Sequence, residues 1–98
     1  MKALCIVYEN VDDWEGYDQY RTRVMATLEA FGAKFLVRGG AFTTVEGEMP
    51  FERIAVLEFP SRDAAEAWYQ SDAYQAVLPI RLAATRCQFV IVDAVDSA

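Results

Sequence analysis

The chain has 98 residues, a formal net charge of −6 and no histidine. Its length holds one domain of the usual ~100–200 residues, expected here as a single unit over 1–98, and excludes separate cofactor and substrate domains. The missing histidine excludes Ser-His-Asp and Cys-His catalysis and any histidine metal ligand, and a pI near 4.5 argues against nucleic acid as a partner.

Residues 3–9 form a β-branched and aromatic run, which predicts a first strand. Asp12 to Glu15 has capping-box spacing. Behind it Tyr17, Tyr20, Val24, Leu28 and Phe31 recur at three- and four-residue steps, predicting a helix over 13–31 with Gly32 as its left-handed cap. Residues 34–46 read as a second strand interrupted by Gly39-Gly40, with a turn at 47–50 and a third strand over 52–59. Ser61 can cap a second helix over 62–71 that turns Ala64, Ala65, Trp68 and Tyr69 inward. Asp72 with Gln75 predicts a further cap and a short helix to Leu78, a kink at Pro79 and helical character through Leu82. Residues 87–95 predict a fourth strand.

The order β-α-β-β-α-β is the split βαβ, or ferredoxin-like, arrangement of the α+β class. Its expected sheet order is 4-1-3-2, antiparallel but with strands one and three parallel, and helices on one face. The strands are apolar on both sides. Leu4 and Ile6 point one way and Cys5 and Val7 the other; Phe89 and Ile91 oppose Val90 and Val92. Hydrophobic residues make up 54% of the chain, above the ~45–50% of ordinary soluble domains. Such a surplus needs a second cover, and a second copy of the same sheet supplies it in a two-fold homodimer. Facing sheets would enclose a barrel-like interior, a natural ligand site, and a ligand is also expected in a cleft between sheet and helices.

The first apolar run is only six residues long and acidic residues follow it, so it reads as a strand and not a signal peptide. No window is long enough to span a membrane, and the cytoplasm is the expected location. Cys5 and Cys87 are expected as buried free thiols, because the pairing of strands one and four keeps them far apart.

Phe31-Gly32, Phe35 to Gly40 (Phe-Leu-Val-Arg-Gly-Gly), Glu46-Gly47, Glu58 to Ser61 (Glu-Phe-Pro-Ser), Ala67-Trp68-Tyr69, Ser71, Tyr74-Gln75 and Leu78-Pro79-x-Arg81 occur in this order. Over residues 3–95 this set strongly resembles domain-of-unknown-function family 1330, small proteins with the dimeric α/β-barrel fold. The resemblance implies that fold and a homodimer. The wider superfamily includes cofactor-free monooxygenases, muconolactone isomerase-like enzymes, haem-dependent enzymes and small-molecule binders, so the resemblance assigns no reaction.

Arg38 and Glu58 are the sharpest candidate pair. A turn at 47–50 would pair strands two and three with residue numbers summing to about 96–98, placing Arg38 opposite or next to Glu58. Charges in apolar strands should be paired. The pair is either a cleft arginine for a substrate anion with Glu58 as orienter or base, or a structural ion pair. Gly39 and Gly40 would let a ligand approach the backbone, or mark a bulge. Tyr20, Tyr69 and Tyr74 are candidate polar contacts, and Arg81 pairs with Asp72 or with a ligand anion. The acidic cluster Asp12, Asp13 and Glu15 reads as helix capping. No metal or cofactor is expected; haem lacks its usual histidine ligand. The reading is a small-molecule-binding homodimer. The alternatives are a cofactor-independent isomerase or monooxygenase on a small carbonyl or aromatic substrate, and an accessory dimer without ligand.

Overall fold

A computed structural model describes residues 1–95; the last three positions of the expected domain, 96–98, lie outside the described residues. The elements are β1 (Ala3–Val11), α1 (Trp14–Leu28) with a short 3-10 turn (Glu29–Phe31), β2 (Lys34–Arg38), β3 (Arg53–Phe59), α2 (Arg62–Gln70), α3 (Asp72–Ala84) and β4 (Thr85–Asp93). One four-stranded sheet has the order β2-β3-β1-β4, which is the expected 4-1-3-2 read from the other edge.

The sheet is antiparallel throughout. β1 and β3, expected to be parallel, pair antiparallel from Ala3 opposite Phe59 to Glu9 opposite Arg53. The cause is the connectivity: the α1 crossover returns β2 in the direction of β1, and the β2–β3 connection then reverses the chain.

Helix starts follow the capping chemistry of short polar side chains. The Asp13 carboxylate accepts from the Gly16 N–H and caps α1; Asp12 lies one residue outside. Ser61 accepts from the Ala64 N–H at α2. Ser71, and not Asp72, caps α3 by accepting from the Tyr74 N–H, while its own N–H closes α2 on the Trp68 carbonyl. Pro79 lies inside α3 without ending it, and the helix runs to Ala84. Both Pro79 and Gln75, whose carbonyl loses its donor, are exposed, so water can satisfy that carbonyl.

The second strand is the largest departure from expectation. It ends at Arg38, not near 46, and residues 39–52 carry no regular structure. Gly39 takes φ +74°, a left-handed conformation incompatible with an extended strand. The segment is tied down at its far end by Asn10, which donates to the Pro50 carbonyl at 2.8 Å and accepts from the Glu52 N–H at 2.7 Å.

The helices cover one face of the sheet. Ala3, Cys5, Val7 and Glu9 of β1 point into that interface, with Ala55, Leu57 and Phe59 of β3. Trp68 is its centre, 1% exposed, packed on Phe59 and Tyr74. Its indole N–H donates to Thr27 Oγ1 at 2.9 Å, and Thr27 in turn donates to the Val24 carbonyl. The other face is open: Leu36, Val90 and Val92 are 50%, 48% and 42% exposed. Cys5 lies opposite Ile91 and Cys87 opposite Glu9. Four residues of strand, ~14 Å at ~3.4 Å per residue, separate the thiols. Cys5 is buried as expected, whereas Cys87 is only half-buried. Among the described residues, no helix is long and apolar enough to cross a membrane.

Trp68→Ala should lower the unfolding free energy by ~3–5 kcal/mol. Thr27→Val should cost ~1–3 kcal/mol, because it strands the indole N–H. Urea denaturation followed by tryptophan fluorescence and circular dichroism measures both; a cost for Thr27→Val below ~0.5 kcal/mol would remove the hydrogen bond from the account of the core.

Candidate functional site

The inward positions of β1 and β3 do not remain apolar to their ends. Glu9 continues the series Ala3, Cys5, Val7, and Arg53 begins the series Ala55, Leu57, Phe59. The antiparallel register sets Glu9 directly opposite Arg53, beneath α1. Glu9 is 1% exposed. Its Oε1 accepts from the Tyr17 hydroxyl at 2.5 Å and from Arg53 Nε at 3.2 Å. Its Oε2 is buried and has no hydrogen-bond partner among the described residues.

Gly39 belongs to this cluster through what it lacks. A Cβ there would sit 1.8 Å from Arg53 Nη1, so any other residue would displace the guanidinium from its present position. The close approach at Gly39 is thus made by the protein's own Arg53, and the bulge expected at the glycine pair lies instead between Phe35 and Val37. Gly40 has open space around it.

A second polar cluster lies along the same interface. Tyr20 and Tyr74 share a hydrogen bond at 2.9 Å between their hydroxyls. Arg81, 2% exposed, gives Nε to Tyr74 Oη at 3.3 Å and Nη1 to Cys87 Sγ at 2.9 Å, with its guanidinium 5.4 Å from the Phe89 ring centroid. It has no carboxylate partner among the described residues, and the pairing with Asp72 expected from sequence is not formed.

Between these clusters is a cavity of about 30 Å³, against the ~10–15 Å³ that one water needs. Glu9, Tyr17, Tyr20, Arg53 and Arg81 line its depth, with apolar walls from Val7, Leu57, Trp68 and Phe89. Its mouth is at Arg21 and Arg38, which also line a shallower depression with Asp18 and Thr22. Arg21 is ion-paired with Asp18. Arg38 lies over the Phe35 ring, 4.7 Å from its centroid, exposed and without a carboxylate partner among the described residues.

Arg38, Tyr20 and Arg81 are thus brought together around one cavity, with Tyr74 behind two of them. Tyr69 lies beside Tyr74 and Phe89, half-buried and outside the cavity wall. Glu58 is not part of the site. The β2–β3 register pairs Arg38 with Ala55 and Glu58 with Lys34, because a long segment and not a four-residue turn joins the strands. Glu58 points to the open face, 3.2 Å from Lys2 Nζ and 3.3 Å from Lys34 Nζ, and these ammonium groups hold its carboxyl below the usual range. Sequence reasoning missed Glu9, Tyr17 and Arg53 as site residues. The signal that identifies Glu9 and Arg53 is the period of two itself, which turns both charges inward.

Burial sets the proton chemistry. It pushes the Tyr17 hydroxyl up to about 12, with the Glu9 carboxylate adding to the shift. It raises Tyr20 and Tyr74 as well, Tyr20 further through its contact with Tyr74, and pushes the Cys5 thiol up to about 12. At neutral pH the tyrosines are hydroxyl donors. No group of His, Cys, Asp and Glu side chains among the described residues could hold a metal ion.

A family model described as "Domain of unknown function (DUF1330)" matches residues 2–95. A comparison with curated proteins finds no match. A solved protein of unknown function from Rhodopseudomonas palustris superposes with TM-score 0.81 at 15% identity, over 98% of this chain and 84% of that one. A dimeric ferredoxin-like protein of unknown function from Jannaschia sp. CCS1 gives 0.67 at 17%, over 96% and 100%. SnoaB, a cofactor-independent oxygenase from Streptomyces nogalater, gives 0.62 at 11%, over 98% and 95%. At these identities the likeness is one of fold.

Raised tyrosine and thiol pKa values mean that the folded state keeps protons the unfolded chain releases above pH ~9–10. The stability they contribute is complete below that range and is lost as pH rises towards 12. Urea midpoints measured from pH 8 to 11.5 should fall with pH, and Tyr17→Phe should flatten the fall; an unchanged slope in that variant would contradict the assignment to Tyr17.

Proposed function

This chain belongs to the DUF1330 family, and we propose that it binds a small organic anion in the cavity between its sheet and helices, as one half of a homodimer. One observation carries the reading. Four arginines (Arg21, Arg38, Arg53 and Arg81) line the cavity; Asp18 pairs with Arg21 and Glu9 with Arg53, which leaves Arg38 and Arg81 as two cations without a carboxylate among the described residues, in a chain of net charge −6. A guanidinium buried without a carboxylate costs free energy that an anion recovers. Arg81 is in that position, and Arg38 at the mouth is free to follow a ligand. Arginine's fork of donors suits carboxylates and enolates better than it suits neutral groups. The cavity admits a small polar head, so a larger body would lie outward past Arg38.

The open sheet face supports the homodimer. Leu36, Val90 and Val92 form, with half-buried Leu4, Ile6, Ile54 and Val56, an apolar surface of the kind that marks an interface. It is the face on which a second copy would supply the cover that the helices give to the other side.

A cofactor-independent enzyme is the second reading, and the Glu9 carboxylate favours it. In such an enzyme Arg38 and Arg81 would hold an enolate or carboxylate, and Glu9 or Tyr17, not the distant Glu58, would move a proton.

Titration of the ¹⁵N-labelled protein with acetate, pyruvate and benzoate tests the first reading. Amides of Val7, Ala55 and Leu57 should shift, and Arg38→Ala should weaken binding ~10-fold or more, the worth of one charge-assisted hydrogen bond. No response to any of the three at ~50 mM, far above typical ligand constants, would sink it. Light scattering should give twice the 11.0 kDa chain mass, and Val90→Lys should shift it towards the monomer.

A further inference from the structure

The Glu9 carboxylate has two oxygens in different situations. Oε1 is saturated by Tyr17 and Arg53. Oε2 is buried, has no hydrogen-bond partner among the described residues, and belongs to a side chain lining the cavity. A carboxylate is acceptor-only, so whatever meets Oε2 must bring a hydrogen-bond donor. The cations of the cavity without a carboxylate of their own, Arg81 and Arg38, ask for the opposite: an acceptor bearing negative charge. The two requirements are met by one small molecule that carries both groups.

We propose that the ligand is a hydroxylated organic anion, a hydroxy acid or its enol equivalent, whose hydroxyl donates to Glu9 Oε2 while its anionic group meets Arg81 or Arg38. This rests on the anion-binding reading above and adds the chemical class. A keto acid of the same size presents a carbonyl where the hydroxyl was, and sets two acceptors face to face against Oε2. An unsubstituted acid leaves Oε2 without a donor. Both should bind less well than the hydroxy acid, since a site built to hydrogen-bond a hydroxyl discriminates against analogues that lack it.

Glu9 also supplies a variant with a different outcome. In Glu9→Gln the amide oxygen must face Tyr17 and Arg53, because both are donors towards that point. The amide NH₂ then takes the place of Oε2 and turns an acceptor into a donor. A hydroxyl accepts from that NH₂ as a carbonyl does, so the preference for the hydroxy acid over the keto acid should be lost.

The experiment is an NMR titration with lactate, pyruvate and propionate, extended to glycolate and 3-hydroxybutyrate to cover chain length. Wild type should bind a hydroxy acid roughly tenfold tighter than its keto and unsubstituted partners, and Glu9→Gln should bind the hydroxy and keto acids alike. Equal binding of lactate, pyruvate and propionate, with no hydroxy acid of the series favoured, would overturn this inference while leaving anion binding intact. No binding of any of them would overturn both. If Glu9→Gln does not fold, the wild-type ranking decides alone.

Discussion

A carboxylate placed between a sheet and its helices is far out of water, and its desolvation is large enough to unfold a small domain unless it is compensated. Glu9 is that carboxylate, and a chain of local features follows from it. Arg53 must stand opposite, which the β1–β3 register provides. Tyr17 must present its hydroxyl from α1. Arg53's guanidinium then fills the space where a Cβ at residue 39 would be. Gly39 in turn adopts a left-handed conformation, which ends β2 and leaves Arg38 as its last residue, at the mouth of the cavity. The ion pair, the early end of the strand and the position of Arg38 are one structural event.

Charge is distributed against the sign of the whole molecule. The carboxylates stand mainly at the surface, in pairs such as Arg86 with Asp12 and Arg62 with Asp93, which contribute ~0–1 kcal/mol each. Arg53 and Arg81, deep in the cavity, are largely removed from water, where interactions are strong. An approaching anion meets the net negative charge only within a Debye length of ~8 Å at physiological salt. Inside the mouth, the local cations decide. An acidic protein can hold an anion in this way because burial, and not total charge, sets the strength of each contact.

Element order, the Ser61 cap and the core stripe were legible in the sequence, since period and capping are local properties; the caps of α1 and α3 fall one residue away from the expected Asp12 and Asp72, on Asp13 and Ser71. Tyr17, Tyr20, Val24 and Leu28 are buried on α1 as their spacing requires, and Ser61 caps α2. The site was legible only in part. Arg38, Tyr20 and Arg81 stand out as polar groups in apolar company, and all three line the cavity. Glu9 and Arg53 sit at strand ends, where a charge ordinarily faces solvent, and only a tertiary contact reveals that they pair. The supposed Arg38–Glu58 pair failed for a related reason. Register follows from turn geometry in a tight hairpin, but a connection over 39–52 leaves it to side-chain packing, which no local rule reads.

The bulge in β2 carries more consequence than its size suggests. Phe35 pairs with Leu57 on the helix side, Val37 pairs with Val56 on the open side, and Arg38 pairs with Ala55 on the helix side again. In a regular strand Phe35 and Arg38, three residues apart, would face opposite ways. One extra residue at Leu36 corrects the alternation, so that both face the cavity and the Arg38 guanidinium lies over the Phe35 ring. The same insertion leaves Leu36 and Val37 adjacent and exposed on the edge strand, adding apolar surface near the face that would receive a second copy. The candidate site and the proposed assembly surface are thus opposite sides of a single sheet, and the bulge at Leu36 turns Arg38 to the cavity side.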